Sequence, residues 1–395
     1  MLGRTHDSTS TLIQMKKILV LVFSDLRHDA RLRRQILAIA GNYQTIVVCF
    51  GAEASPHYET LIVQPTNLTL FRKAVTSIFL LSRFHSIAHR LLHDYYYIVD
   101  KLSQHRFDAI IANDVETLPL AFAFPGNPKV IFDAHEYAPR HFEDKRSWRI
   151  FFQSFNTWLC RKYIPQAAAM MTVGEGLAKE YERNFSVKPI VITNANNYHD
   201  LQPSIVSDGQ IRLIHHGIAT PSRKLELMIQ TIRLLDQRFT LDLMLLTPGF
   251  ASQKTRQYLE VLKKMAAQEP RVRIVPPVSS SDVVKTIHQY DMGVFLLPPV
   301  NFNYENTLPN KLFDFIQARL AVAIGPTPEM AAIVRKYDIG VVSDKFTPES
   351  LSQQLNKLTT EQVQRFKLNT TAAAKKLNAE VNAATINQLL SDVLK

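Results

Sequence analysis

A relay of short apolar runs, each ending in polar residues and followed by a helical stretch, constrains this chain more than anything else in it. The first run is Lys16-Lys-Ile-Leu-Val-Leu-Val-Phe23; residues 29–40 then read as a helix and Thr45-Ile-Val-Val-Cys-Phe50 as a second strand. Residues 109–112, 130–132 and 170–173 continue the series. After a Pro- and Ser-containing linker at 202–209 it restarts with residues 211–217, 241–246, 272–275, 291–297 and 320–324. Strands buried on both faces read as continuous apolar runs, and strand–helix alternation builds a parallel sheet. The class is therefore α/β. At 395 residues the chain is natural for two doubly wound domains, expected over 15–203 and 204–375, with 376–395 as a terminal helix.

Apolar residues make up 46% of the chain and charged residues 21%, which places it among globular proteins. No run approaches the roughly 20 apolar residues that span a bilayer. Residues 1–14 lack the apolar core of a signal peptide and read as a disordered tail. Cys49 and Cys160 sit far apart in apolar surroundings, as buried free thiols of a reducing cytoplasm would. His85, His89 and His93 share one helical face and are expected to be solvated or partly packed; there is no Cys/His cluster at metal spacing.

The net charge of +11 is shared by both halves and favours anionic partners: phosphates, nucleic acid or an acidic membrane. Nucleic acid rests on charge alone, without the aromatic platforms such proteins use, and is not expected. The turn Ser24-Asp-Leu-Arg-His-Asp-Ala-Arg31 lacks the glycine fingerprint of dinucleotide binding, and only 12 glycines occur in the chain.

Ligands of open α/β sheets bind beyond the carboxyl ends of the strands. Asn113-Asp114-Val-Glu116, Asp133-Ala-His135-Glu136-Tyr137 and His-Gly217, with Pro221-Ser-Arg223-Lys224 beyond it, all fall there. The stretch from Asn306 to Glu329 reads as a capped helix running into a buried strand. Asn306 or Thr307 caps it, Leu308 follows, and Pro309 suits the first turn. A helix N-terminus holds phosphate. Lys311 adds a full charge, and Asp314, a turn deeper, can accept from a sugar diol. Phosphate and diol together point to a nucleotide, although an ordinary capped helix with solvated Lys311 and Asp314 has the same pattern.

These motifs resemble those of retaining GT-B glycosyltransferases of the family-4 kind, over roughly residues 16–394. Pro309-Asn-Lys-Leu-Phe-Asp314-Phe is similar to the family's donor-binding helix, Asp133-Ala-His135-Glu136 to its Asp-x-His-Glu run, and Asp29-Ala-Arg31 with Arg33 to its opening. The resemblance implies two Rossmann-like domains facing across a cleft, with the terminal helix crossing back to the first. It implies that Asp314 holds the ribose and that Asn306, eight positions earlier, stands where relatives carry a sugar-facing acid. It implies that Gly217, Arg223, Lys224 and Lys311 hold the diphosphate, and that Val275 and Pro276 border the base. Ile218 stands where relatives carry a basic residue directly after the glycine. His135, with Asp133 and Glu136, faces the donor sugar; Asp29, Arg31, Asp114 and Glu116 lie on the acceptor side.

The expected activity is retaining transfer of a hexose from a UDP- or GDP-sugar to a glycan or lipid-linked acceptor, without metal or other cofactor, in surface polysaccharide or glycolipid synthesis. A nucleotide-sugar 2-epimerase of the same fold, or a non-catalytic sugar-nucleotide-binding relic, are the alternatives. The expected location is the cytoplasm, with peripheral attachment to the inner face of the membrane. Two segments motivate that attachment. One is the aromatic and basic helix over 147–162, which either lies in the interface or packs into the domain; the other is the basic, apolar segment 68–107.

Overall fold

The computed structural model describes residues 15–247 and 251–395, so the expected disordered tail over 1–14 and residues 248–250 lie outside the described residues. Each expected apolar run is a strand. The first sheet contains β1 (Lys17–Leu21), β2 (Gln44–Cys49), β3 (Glu59–Ile62), β4 (Ala109–Asn113), β5 (Lys129–Ala134), β6 (Ala169–Thr172) and β7 (Ile190–Val191). The second contains β8 (Ile211–Ile218), β9 (Phe239–Leu246), β10 (Val272–Val275), β11 (Met292–Phe295), β12 (Ala321–Ile324) and β13 (Gly340–Val342). All pairings are parallel, in the orders β3-β2-β1-β4-β5-β6-β7 and β10-β9-β8-β11-β12-β13. Strand order reverses between β1 and β4 in the first sheet and between β8 and β11 in the second. The helices following those strands leave on opposite faces, which opens a crevice at each switch point.

Helices cover both faces of both sheets, and the apolar sides of β1, β2, β4, β5, β6, β8, β9, β11 and β12 are almost wholly buried, while the edge strands β3 and β10 are partly exposed. The last helix, Ala379–Val393, returns to the first sheet. Its Ile386, Leu389 and Leu390 pack with Leu32, Ile36 and Ile39 of the helix Ala30–Ala40, and Asn387 Nδ2 donates to the Ala38 carbonyl at 2.8 Å.

Several local expectations are corrected. The helix expected from Asn306 begins at Asn310 and ends at Gln317, with Pro309 in the cap position at φ −74° and ψ 150°. Asn306 instead ends a separate short helix, Phe302–Glu305, capped by the Asn301 side chain. The segment from Pro221 makes a 3-10 turn before the helix Glu226–Arg233 starts. Residues 147–162 are not one helix: a π turn, Arg149–Gln153, interrupts them. Phe155 and Leu159 are buried there, while Phe151, Phe152 and Trp158 are half-buried against the same core, so this aromatic stripe packs into the fold. His85 and His89 are buried and His93 half-buried; His89 Nε2 meets the Glu116 carbonyl at 2.9 Å and His85 Nε2 the Ser154 hydroxyl at 3.2 Å. Both cysteines are buried and free. No helix among the described residues is long and apolar enough to cross a membrane.

Candidate active site

At the switch point of the second sheet, β8 carries His215, His216 and Gly217 near its end, and the helix Asn310–Gln317 lies beside it. That helix is buried from Lys311 to Gln317, so each polar side chain on it needs a partner. Gln317 is satisfied: Nε2 donates to the Ala374 and Leu377 carbonyls, both at 3.0 Å, and Oε1 accepts from His199 N at 3.0 Å. Asp314 Oδ1 accepts from Asn196 Nδ2 at 3.0 Å. Lys311 is different. Its side chain is 6% exposed, and its Nζ sits 3.8 Å from the centre of the Phe295 ring and 3.5 Å from His215 Nε2.

His215 Nδ1 donates to the Val294 carbonyl at 2.9 Å, which fixes the tautomer and leaves Nε2 as a lone-pair acceptor toward the ammonium. Burial and the neighbouring Lys311 hold His215 neutral. Burial, then Arg223, push Lys311 well below the usual lysine value, and only Asp314 opposes them. Gly217 has φ +126°, a backbone that side chains rarely adopt, and a Cβ there would stand 3.4 Å from both Arg223 Nη1 and Lys311 Nζ. Two cations thus converge over a bare backbone, and among the described residues neither is in a salt bridge. Such an arrangement can receive an anion that approaches the main chain closely.

Asp314 and His216 complete this side. Burial raises the Asp314 carboxyl to about 6 despite the Asn196 hydrogen bond and the nearby Arg34 and Lys311. His216 Nε2 stands 3.5 Å from Asp314 Oδ2 with no hydrogen-bond partner, and burial with Lys311 lowers its imidazole to about 3. A carboxylate and a neutral imidazole that lacks a partner suit a pair of hydroxyls. Val275 ends β10, with Pro276 exposed beyond it, two strands from β8. Thr307 is half-exposed, and Leu308 is buried with its carbonyl accepting from Asn194 Nδ2 at 2.9 Å. Lys224 is the departure. It is exposed, in a left-handed turn at φ +51°, and the atoms nearest the Gly217 Cβ position belong to Arg223 and Lys311. Asn306 packs against Gly176 of the first domain while its Nδ2 donates to the Phe302 carbonyl at 2.9 Å.

The first sheet brings a charged cluster to its own carboxyl edge. Asp133, fully buried at the end of β5, accepts from Arg31 Nη2 at 3.0 and 3.1 Å and from Gln35 Nε2 at 2.6 Å. His135 lies between two carboxylates, with Nδ1 3.3 Å from Asp114 and Nε2 3.4 Å from Asp133. The Nε2 contact lacks hydrogen-bond geometry, so that N–H is free to meet another acceptor. Burial disfavours the imidazolium, and so does Arg31, yet Asp114 and Asp133 outweigh them and raise His135 to about 9. Burial and then Asp114 raise Glu116 to about 7.

Of the three residues expected to act together, Glu136 separates: its Oε2 pairs with His141 Nε2 at 2.7 Å. Asp29 is the N-cap of the helix that carries Arg31, accepting from Leu32 N at 3.0 Å. Asp114 holds φ +62° and ψ 155°, a strained backbone for a residue with a side chain.

The two edges meet. Asn303 of the short helix accepts from Tyr137 N at 2.7 Å, and Glu329 caps the first-domain helix Glu175–Phe185 through Glu175 N at 2.9 Å and Gly176 N at 2.7 Å. Arg34, on the helix Ala30–Ala40, lies within the field of Asp314 on one side and of Arg31 on the other. Sequence reasoning passed over His215, His216, Arg34, Asn196, Asn303 and Glu329. The paired histidines directly before Gly217 were the one usable signal.

No protein-family model matches the chain, and no curated protein sequence does. Solved structures do. The sucrose-phosphate synthase of Thermosynechococcus elongatus superposes with a TM-score of 0.72 at 13% identity, over 96% of this chain and 99% of that one. The Anabaena protein HepE, solved in complex with UDP, gives 0.70 at 14% over 96% and 100%. WaaG, a glycosyltransferase involved in lipopolysaccharide biosynthesis, gives 0.63 at 13% over 93% and 99%. The fold is GT-B. A GT-B chain carries its two sheets with their carboxyl edges toward a shared cleft, and here those edges hold the cationic pocket and the His135 cluster.

Proposed function

We propose that this chain is a glycosyltransferase that takes a hexose from a UDP- or GDP-sugar and passes it to a glycan or lipid-linked acceptor. The observation that carries the reading is the Lys311–Arg223 pair over Gly217: two desolvated cations without a carboxylate in contact, at the switch point of a GT-B second domain. A diphosphate supplies the missing charge, Asp314 and His216 take the ribose hydroxyls, and Pro276 borders the base. That neighbours of the same fold were solved with UDP and UDP-glucose is consistent with this ligand class.

As the glycosidic C–O bond breaks, charge grows on the departing diphosphate, and cations already in place stabilise it more in the transition state than in the ground state. Lys311 and Arg223 do this without a divalent ion. His135 offers its Nε2–H to the donor sugar, and Asp114 and Asp133 keep it charged. The acceptor hydroxyl arrives from the Asp114 and Glu116 side and gives its proton to the leaving diphosphate, so that the sugar keeps its anomeric configuration. The setting is surface polysaccharide or glycolipid synthesis at the cytoplasmic face of a membrane.

A thermal-shift panel of UDP- and GDP-sugars, followed by product analysis with and without acceptor, tests this. A bound donor at a hundred times its Kd stabilises by about 2.7 kcal/mol. One base series is expected to raise the melting temperature, and the matching sugar is expected to reach an acceptor in the presence of a chelator. Failure of every nucleotide-sugar to shift the melting curve would overturn the reading, and a sugar changed without acceptor would make the chain an epimerase.

A further inference from the structure

Seven exposed large apolar side chains lie on the helix Leu70–Leu81 and on the segments beside it in the first domain: Leu70, Phe71, Ile78, Leu81, Phe84, Ile87 and Ile150. The helix Leu70–Leu81 presents Phe71, Ala74, Ile78 and Leu81 to solvent at intervals of three and four residues, one continuous stripe. Phe71 is 79% exposed and Ile78 63%. Phe84 and Ile87 of the next helical segment extend the stripe, as does Ile150 of the π turn that packs against Leu70–Leu81. Single exposed apolar residues are ordinary on any protein, but a contiguous patch marks a contact surface. Arg72 locks the arrangement from beneath, with Nε donating to the Leu91 carbonyl at 2.9 Å and Nη2 pairing with Asp94 at 3.2 Å.

The charge around the stripe is mainly positive, with Asp94 paired to Arg72 as the acidic neighbour. No Asp or Glu occurs between Glu59 and Asp94, or between Asp144 and Glu175, and these are the two stretches that build the patch. Lys73, Arg83, Arg90, Arg146 and Arg149 are exposed on them. Protein interfaces deplete lysine at their centre and mix signs at their rim. An apolar stripe flanked mainly by cations, with Asp94 taken up by Arg72, matches instead a helix lying in the headgroup layer of an anionic bilayer.

We infer that the helix Leu70–Leu81, with Phe84, Ile87 and Ile150, docks the first domain onto an anionic lipid surface. Phe71, Ile78 and Leu81 enter the acyl boundary, while Lys73, Arg83 and Arg149 meet the headgroup phosphates. The stripe that inserts is this one and not the aromatic residues of 147–162, which the core already uses. No substrate takes part in docking, so the inference stands or falls separately from the transfer reaction.

Co-sedimentation with vesicles of equimolar phosphatidylcholine and phosphatidylglycerol, against phosphatidylcholine alone, tests it. The protein is expected to bind the anionic vesicles at low salt and to release as salt rises. The double variant F71E/I78E is expected to lose at least about tenfold in binding, since each apolar side chain withdrawn from the bilayer is worth about that factor. Leu368→Glu, exposed on the second domain, is expected to bind like wild type. Should F71E/I78E fail to fold, Lys73→Glu with Arg83→Glu reads the same surface through its charge. Equal binding to both vesicle types, or undiminished binding by these variants, would overturn the inference. So would a dimer in sedimentation velocity that F71E/I78E converts to monomer without vesicles, because the patch would then be a contact between copies.

Discussion

Replacing Lys311 by Met is expected to raise the melting temperature of the empty protein and to weaken its binding of nucleoside diphosphates. In the unliganded state the Lys311 side chain is buried beside Arg223, against the Phe295 ring and one imidazole nitrogen, and burial, with Arg223 adding to it, drives it toward the neutral amine. Met fills the same volume without a charge to desolvate. Replacing buried charge with packed apolar groups gains about 1–4 kcal/mol, or about 2–4 °C per kcal/mol in a unit of 150–250 residues. A charge-assisted bond to a buried phosphate is worth about 1.5–3 kcal/mol, so affinity falls about tenfold to a hundredfold.

Opposite signs for stability and binding distinguish a functional cation from a structural one. In the proposed complex the diphosphate is also expected to restore the proton that burial disfavours. Binding therefore takes up a proton and Kd rises with pH, which calorimetry in two buffers of different ionisation enthalpy reads directly.

His135→Gln should leave donor affinity at the wild-type value and lower kcat by about a hundredfold or more, because the imidazolium acts on charge that develops only as the sugar departs. The same substitution has a pH signature. His135 is raised from the ordinary 6.5 to about 9 in the folded protein. A basic group with a raised folded pKa contributes stability that is complete below its unfolded value and disappears as pH climbs through the folded one. The melting-temperature advantage of wild type over His135→Gln is thus expected to be constant below about pH 6.5, to shrink from there to about pH 9 and to be absent above it. A histidine that merely packs the loop would give an advantage independent of pH, and kcat and stability would fall together.

The sequence carried most of the frame because a buried parallel strand needs apolar side chains on both faces, and ten such runs stand out between polar loops. The three strands it did not show, β3, β7 and β13, are short and half-exposed at sheet edges. Glu59 and Thr60 of β3 face solvent, and such strands have no apolar run to read.

Asp133, His135, Gly217, Arg223, Lys311 and Asp314 could be placed at the carboxyl edges of the sheets because strand ends and helix starts are predictable positions. Their partners could not. Gln35 and Arg31 reach Asp133 from about a hundred residues away, and Asn196 reaches Asp314 from a linker with no pattern of its own. The position of Lys224, turned away from Gly217, is a local matter. A left-handed residue after the 3-10 turn sends Arg223, rather than its neighbour, toward Gly217, and nothing in Pro221-Ser-Arg-Lys announces that turn. Glu136 likewise looks equivalent to His135 in sequence, but the chain turns between them and hands it to His141.

The central claim is that the second-domain cations hold a nucleoside diphosphate over the backbone of Gly217. A crystal structure with the diphosphate selected by the thermal-shift panel tests it most directly. The account expects a phosphate oxygen within hydrogen-bond distance of both Lys311 Nζ and the Arg223 guanidinium, with the ribose hydroxyls at Asp314 and His216. A diphosphate bound elsewhere, with Lys311 still packed on Phe295 and no anion beside it, would contradict the account.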